Sequence, residues 1–92
     1  MAESMTVPEI EINIGLGKPY NVILFNDESH EMMEVCNQIV KAIHCETAQA
    51  VSIMMQAHQT GRAIVITAGL ERCEHVQAVL EEIRLGTKIE PA

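Results

Sequence analysis

The feature that most limits the fold is an abrupt change of apolar spacing just after residue 25. Residues 20–25 read Tyr-Asn-Val-Ile-Leu-Phe, a β-branched and aromatic run of strand length. Asn26, Asp27, Glu28 and Ser29 close it with turn and cap chemistry. From His30 to about Ile43 the apolar positions are Met32, Cys36, Ile39, Val40 and Ile43. That spacing is one stripe of an α-helix. Ser29 is the expected N-cap, and Glu31 and Glu34 suit the positive end of the helix it would start.

The same reading continues down the chain. Residues 44–47 make a short connection, and a second helix is expected from about Glu46 to Gln59. Ala48, Val51, Met55 and His58 lie along one line of it, with Ala50, Met54 and Ala57 beside them. Gly61 suits the left-handed position that stops a helix. Arg62 to Thr67 reads as a second strand. Leu70, Cys73, Val76 or Gln77, Leu80 and Ile83 mark a third helix ended by Gly86, and Thr87 to Glu90 a short final strand. The order β-α-α-β-α-β predicts a two-layer α+β domain: a small antiparallel three-stranded sheet with three helices on one face.

Residues 1–18 read as an extension ahead of a domain spanning 19–92. Glu9 and Glu11 alternate with Ile10, Ile12 and Ile14, which fits a short edge strand. The Gly-Leu-Gly-Lys-Pro break at 15–19 fits a flexible tail instead.

Composition narrows the class of partner. Tyr20 and Phe25 are the only aromatic residues in a chain with no tryptophan and six methionines, so the core must be aliphatic. Methionine fills irregular gaps, and it also suits a binding surface that adapts to its ligand. The net charge of −7 repels phosphate backbones and anionic lipid, so neither nucleic acid nor membrane is expected as a partner. Cys36, Cys45 and Cys73 are an odd number at unmatched spacings. They speak for a cytoplasmic or equivalent reducing compartment rather than a disulfide framework. No apolar run has the length of a membrane span or the form of a secretory leader.

Catalytic and cofactor signatures are lacking. Gly15-Leu-Gly-Lys has neither the length nor the preceding strand of a phosphate loop. The histidines and cysteines at 30, 36, 44, 45, 58, 73 and 75 form no paired metal-ligand spacing. His44 and Cys45 adjoin while His58 is distant, and no serine, amide or glycine context supports an oxyanion site. Neither enzyme activity nor a cofactor or metal is expected.

Two features remain. Asp27 is the only aspartate among thirteen acidic residues, and it sits with Asn26 at the strand-to-helix corner. It reads either as a helix-capping acid in a turn, or as a carboxylate placed with an amide to bind a cation. His58 stands beside Met54, Met55 and Ala57 at the end of the second helix, as a surface or boundary residue or a ligand contact.

The run from Tyr20 through Asn26-Asp27-Glu28-Ser29-His30, the stretch Met54 to Ala63 (Met-Met-Gln-Ala-His-Gln-Thr-Gly-Arg-Ala) and the terminal Ile-Glu-Pro-Ala together resemble the ClpS family. The similarity covers about residues 19–92, with a shortened link between the third helix and the last strand. It implies a non-enzymatic adaptor, by default a monomer, that grips the free α-amino group and bulky hydrophobic first residue (Leu, Phe, Tyr or Trp) of an N-degron. The adaptor then hands the substrate to a Clp-type AAA+ unfoldase and its peptidase. By position, Asn26, Asp27 and His58 would hold the α-ammonium and first peptide unit. Met32, Val35, Met54, Ala57 and Leu85 would line the side-chain pocket. The chain departs from the family where many members carry a small hydroxyl residue and proline, having His30-Glu31, and where a branched aliphatic is common, having Ala57. Those departures leave room for a related modulator of altered first-residue preference. A protein-docking module outside proteolysis is the alternative of a different class.

Overall fold

The computed structural model describes Glu9–Ile10 and residues 17–92. The elements are β1 (Glu9–Ile10), β2 (Tyr20–Phe25), α1 (Met32–Ile43), α2 (Thr47–Thr60), β3 (Arg62–Ala68), α3 (Leu70–Glu81) and β4 (Thr87–Pro91). β2 pairs antiparallel with both β3 and β4, giving the three-stranded sheet and element order expected of the α+β domain. β1 adds a short fourth strand, parallel to β3, so the sheet order is β1-β3-β2-β4. The flexible extension expected over residues 1–18 falls mostly outside the described residues.

Alternation along β2 turns Val22 and Leu24 toward the helices, where they join one apolar cluster drawn from all three helices and from β3. Ile23 is buried too, but stands apart from that cluster, on the opposite face. The register of β2 on β3 shifts between Val22, opposite Ile66, and Ile23, opposite Ile64. The unmatched Val65 is a bulge, and it lets two successive side chains, Val65 and Ile66, both enter the core. α2 and α3 lie against the sheet, and α1 packs chiefly across those two helices. The buried Gln38 amide fastens α1 to α3, donating to the Val79 carbonyl at 2.6 Å and to Glu82 at 3.1 Å. Lys41 adds an exposed ion pair to the same Glu82 at 2.7 Å.

Of the two lines of residues along α2, the structure buries Ala50, Met54 and Ala57 together with Ile53, and leaves Val51 and His58 exposed. Gly61 stops α2 as expected, at φ 96° with its N–H on the Ala57 carbonyl. Two helix ends differ from expectation. α1 begins at Met32 with Glu31 at the N-cap, because the Ser29 hydroxyl is drawn back to Asp27 and does not reach the helix. α3 ends at Glu81, and the chain turns through Arg84 at φ 65° well before Gly86.

Candidate functional site

A cavity of about 230 Å³ opens where the end of β2 meets the start of α1 and the last turns of α2. Leu24, Phe25, Met32, Val35, Met54 and Ala57 give it apolar walls. Asn26, Asp27, Glu28, His30 and His58 supply its polar side. The corner that carries Asn26 and Asp27 is fixed by its backbone. Phe25 N–H donates to the Gly86 carbonyl and Asn26 N–H to the Gly61 carbonyl, each at 3.0 Å. The helix stop at Gly61 therefore also anchors the polar corner.

Asp27 concentrates its contacts on one oxygen. Its Oδ1 accepts from the Ser29 N–H at 2.7 Å, the Ser29 hydroxyl at 2.8 Å and the His30 N–H at 3.0 Å. The His30 ring nitrogen Nδ1 stands 3.0 Å from the same oxygen. None of these contacts uses Oδ2. Burial would raise the Asp27 pKa, but hydrogen bonds from the His30 and Ser29 side chains and from both backbone N–H groups prevail and lower it to about 2. Asp27 is thus a fixed anion on the cavity wall, with one oxygen committed to the turn. Such a group offers a partly desolvated cation a charge and an acceptor at once. Asn26 Nδ2 leans toward Glu28 at a long 3.5 Å, which leaves its carbonyl oxygen to accept.

The structure brings together seven of the eight residues singled out from sequence: Asn26, Asp27, Met32, Val35, Met54, Ala57 and His58. Leu85 is not among the lining residues. The left-handed turn at Arg84 carries it into the core, where it is 3% exposed and its N–H reaches the Leu80 carbonyl. Sequence reasoning missed Leu24, Phe25, Glu28 and His30 as wall residues. The signal for His30 was available: it lies three residues after Asp27, the reach of a carboxylate that closes a turn. Among the described residues, no group of three or more His, Cys, Asp or Glu is placed to hold a metal ion, and no helix is long and apolar enough to cross a membrane.

Residues 17–87 match the family model of the ATP-dependent Clp protease adaptor protein ClpS. The chain belongs to the ClpS family. It is 33% identical over 90 residues to the ATP-dependent Clp protease adapter protein ClpS of Synechococcus elongatus, covering 97% of this chain and 95% of that one. A stretch of 65 residues is 31% identical to part of the Drosophila melanogaster E3 ubiquitin-protein ligase UBR1, covering 71% of this chain but 4% of the ligase. Among solved structures, Agrobacterium tumefaciens ClpS2 bound to L-phenylalaninamide superposes with a TM-score of 0.77 at 22% identity, over 82% of this chain and 98% of ClpS2. The ClpS family is one of adaptors for an ATP-dependent protease, and the fold here is the ClpS fold.

Proposed function

We propose that the cavity captures the free α-amino end of a polypeptide whose first side chain is bulky and hydrophobic, and that the chain delivers this substrate to a Clp-type AAA+ unfoldase. The observation that carries the reading is Asp27: a carboxylate ionised at any physiological pH, pinned through Oδ1, at the edge of an apolar cavity. An α-amino group has an unperturbed pKa of ~7.7–8 and is mostly protonated at neutral pH. Asp27 meets that charge, while the Asn26 carbonyl and a His58 ring nitrogen are suited to accept its remaining N–H groups. An internal peptide amide carries no such charge, so chain ends are selected. The first side chain then enters the apolar part between Met32, Val35, Met54 and Ala57. Burying a Leu- or Phe-sized group there contributes roughly 1.5–3 kcal/mol. The phenylalaninamide held by ClpS2 is a ligand of this class, a free amine beside a benzyl group. The same reading makes the chain a non-catalytic monomer of a cytoplasmic or similarly reducing compartment, where the buried thiols of Cys36 and Cys73 stay reduced.

The test is fluorescence anisotropy with labelled ten-residue peptides that differ only at the first residue: Leu, Phe, Tyr, Trp, Met, Ile and Arg, with an N-acetylated Leu control. Tight binding of bulky hydrophobic first residues, abolished by acetylation and by Asp27→Ala, is the expected result. Binding to an unfoldase that survives Asp27→Ala, with no peptide bound at all, would instead identify a modulator or docking module.

A further inference from the structure

The His30 ring is held between two acceptors. Nδ1 lies 3.0 Å from Asp27 Oδ1 and 3.2 Å from the Ser29 hydroxyl. An imidazolium brings a full positive charge to the carboxylate, whereas a neutral ring offers at most a single N–H and no charge. The side chains of His30 and Asp27 are 16% and 15% exposed, so water screens the pair only in part. His30 also lines the cavity. Its protonated ring therefore puts a positive charge beside the carboxylate that a captured ammonium would use.

We infer that His30 is a positioning residue that sets how much of the Asp27 charge a cationic ligand meets: protonated, it offsets part of that charge and opposes a second positive group in the cavity; neutral, it leaves the charge to the ligand. This inference rests on the capture reading above. The hydrogen bond to Asp27, first among several contributions, raises the His30 pKa; partial desolvation opposes it, and the charge of Asp27, the Ile83 contact and the charge of Glu34 add to it. The change of state thus falls above the usual 6.5. The titratable groups that bear on the ring are Asp27 from the corner and Glu34 from α1, with Glu28 and His58 on the same cavity wall. Asp27, with its pKa lowered to about 2, stays ionised through the range in which His30 changes state.

The experiment measures Kd for one Leu-initial peptide between pH 5.5 and 8.5, with the wild type and with His30→Gln, which keeps an N–H donor but does not titrate. The ratio of the two constants at each pH cancels the titration of the peptide amine and every other contribution that both proteins share. Like charges a few ångströms apart at a partly screened site give about a three- to tenfold effect. The wild type is therefore expected to lose that factor relative to His30→Gln toward acid pH. Reciprocity requires the same peptide to lower the midpoint of the His30 ring titration, followed by NMR in the wild type, by about half to one pH unit. This second readout stands even where the variant is unstable. A flat ratio with an unmoved ring midpoint overturns the inference while leaving capture intact, and so does a ratio of opposite sign. No binding by either protein at any pH defeats the capture reading and this inference with it.

Discussion

Asp27 draws its four Oδ1 contacts from Ser29 and His30, so its ionisation is a local property of residues 27–30 as well as a feature of the cavity. Its pKa, lowered from 3.8 to about 2, contributes stability that is fully present above the unfolded value near 4 and is lost as pH falls toward 2. His30 has the opposite sign. Its raised pKa contributes stability below the unfolded 6.5, which disappears as pH rises through the folded value. The melting temperature of Asp27→Asn should therefore lie furthest below that of the wild type at about pH 5–6. The gap should narrow both below pH 4 and above pH 6.5, as thermal melts across that range would show. At the apolar wall, Ala57 is buried, and Ala57→Val adds two methyl groups facing the cavity. Each buried methylene is worth ~0.8 kcal/mol when accommodated and costs at least as much when it crowds. Affinity for a Trp-initial peptide should fall about tenfold relative to a Leu-initial one, read from the same anisotropy titrations. His30 and Leu85 mark what single residues hid. The carboxylate that holds His30 was plain in sequence, but the fold was needed to bring the ring onto the wall shared with Met54 and His58. Leu85 has the right character for a cavity wall, and only the handedness of Arg84 sends it into the core.

Element boundaries follow the competition for backbone and hydroxyl donors. Apolar spacing was enough to locate α1, α2 and α3, since each stripe must face a common core. Their ends depended on polar choices that spacing does not encode, as the Ser29 hydroxyl bonded to Asp27 illustrates. The stop of α2 was legible because a left-handed residue there favours glycine. A Cβ at Gly61 would meet nothing within 4 Å, so the cost of Gly61→Ala is torsional, at φ 96°. A loss of about 1–2 kcal/mol is expected in urea unfolding. Because the Gly61 carbonyl holds the Asn26 N–H, peptide affinity should weaken in the same variant. The bulge at Val65 could not be read from the run Ala-Ile-Val-Ile, where every register looks equally apolar. The pairing of Glu9–Ile10 with β3 was half legible: the alternation pointed to an edge strand, but no local signal chose its partner.

At the scale of the molecule, one aliphatic cluster joins both layers, with Ile39, Ile53, Ile66 and Leu80 fully buried. A domain of 92 residues has about 5–14 kcal/mol of net stability, and truncating one such side chain to alanine costs about 2–5 kcal/mol. Ile53→Ala should therefore bring the protein close to unfolding at 37 °C. Burial raises the pKa of the Cys36 thiol, so alkylation of Cys36 should proceed only through opening of the core. Its rate, followed by peptide mass, should rise at least tenfold in Ile53→Ala relative to the wild type. The two-layer fold was readable because length, aliphatic composition and alternating periods admit few packings. The sheet directions carry a practical consequence. The cavity lies where Phe25 and Arg62 face each other, while Pro91 pairs with Tyr20 and β1 with Ile66 and Thr67, toward the other end of β2 and β3. A strand of six residues spans about 20 Å. A biosensor chip or resin coupled through Ala92 would hold the domain by the end opposite the cavity, with the cavity mouth turned to solution.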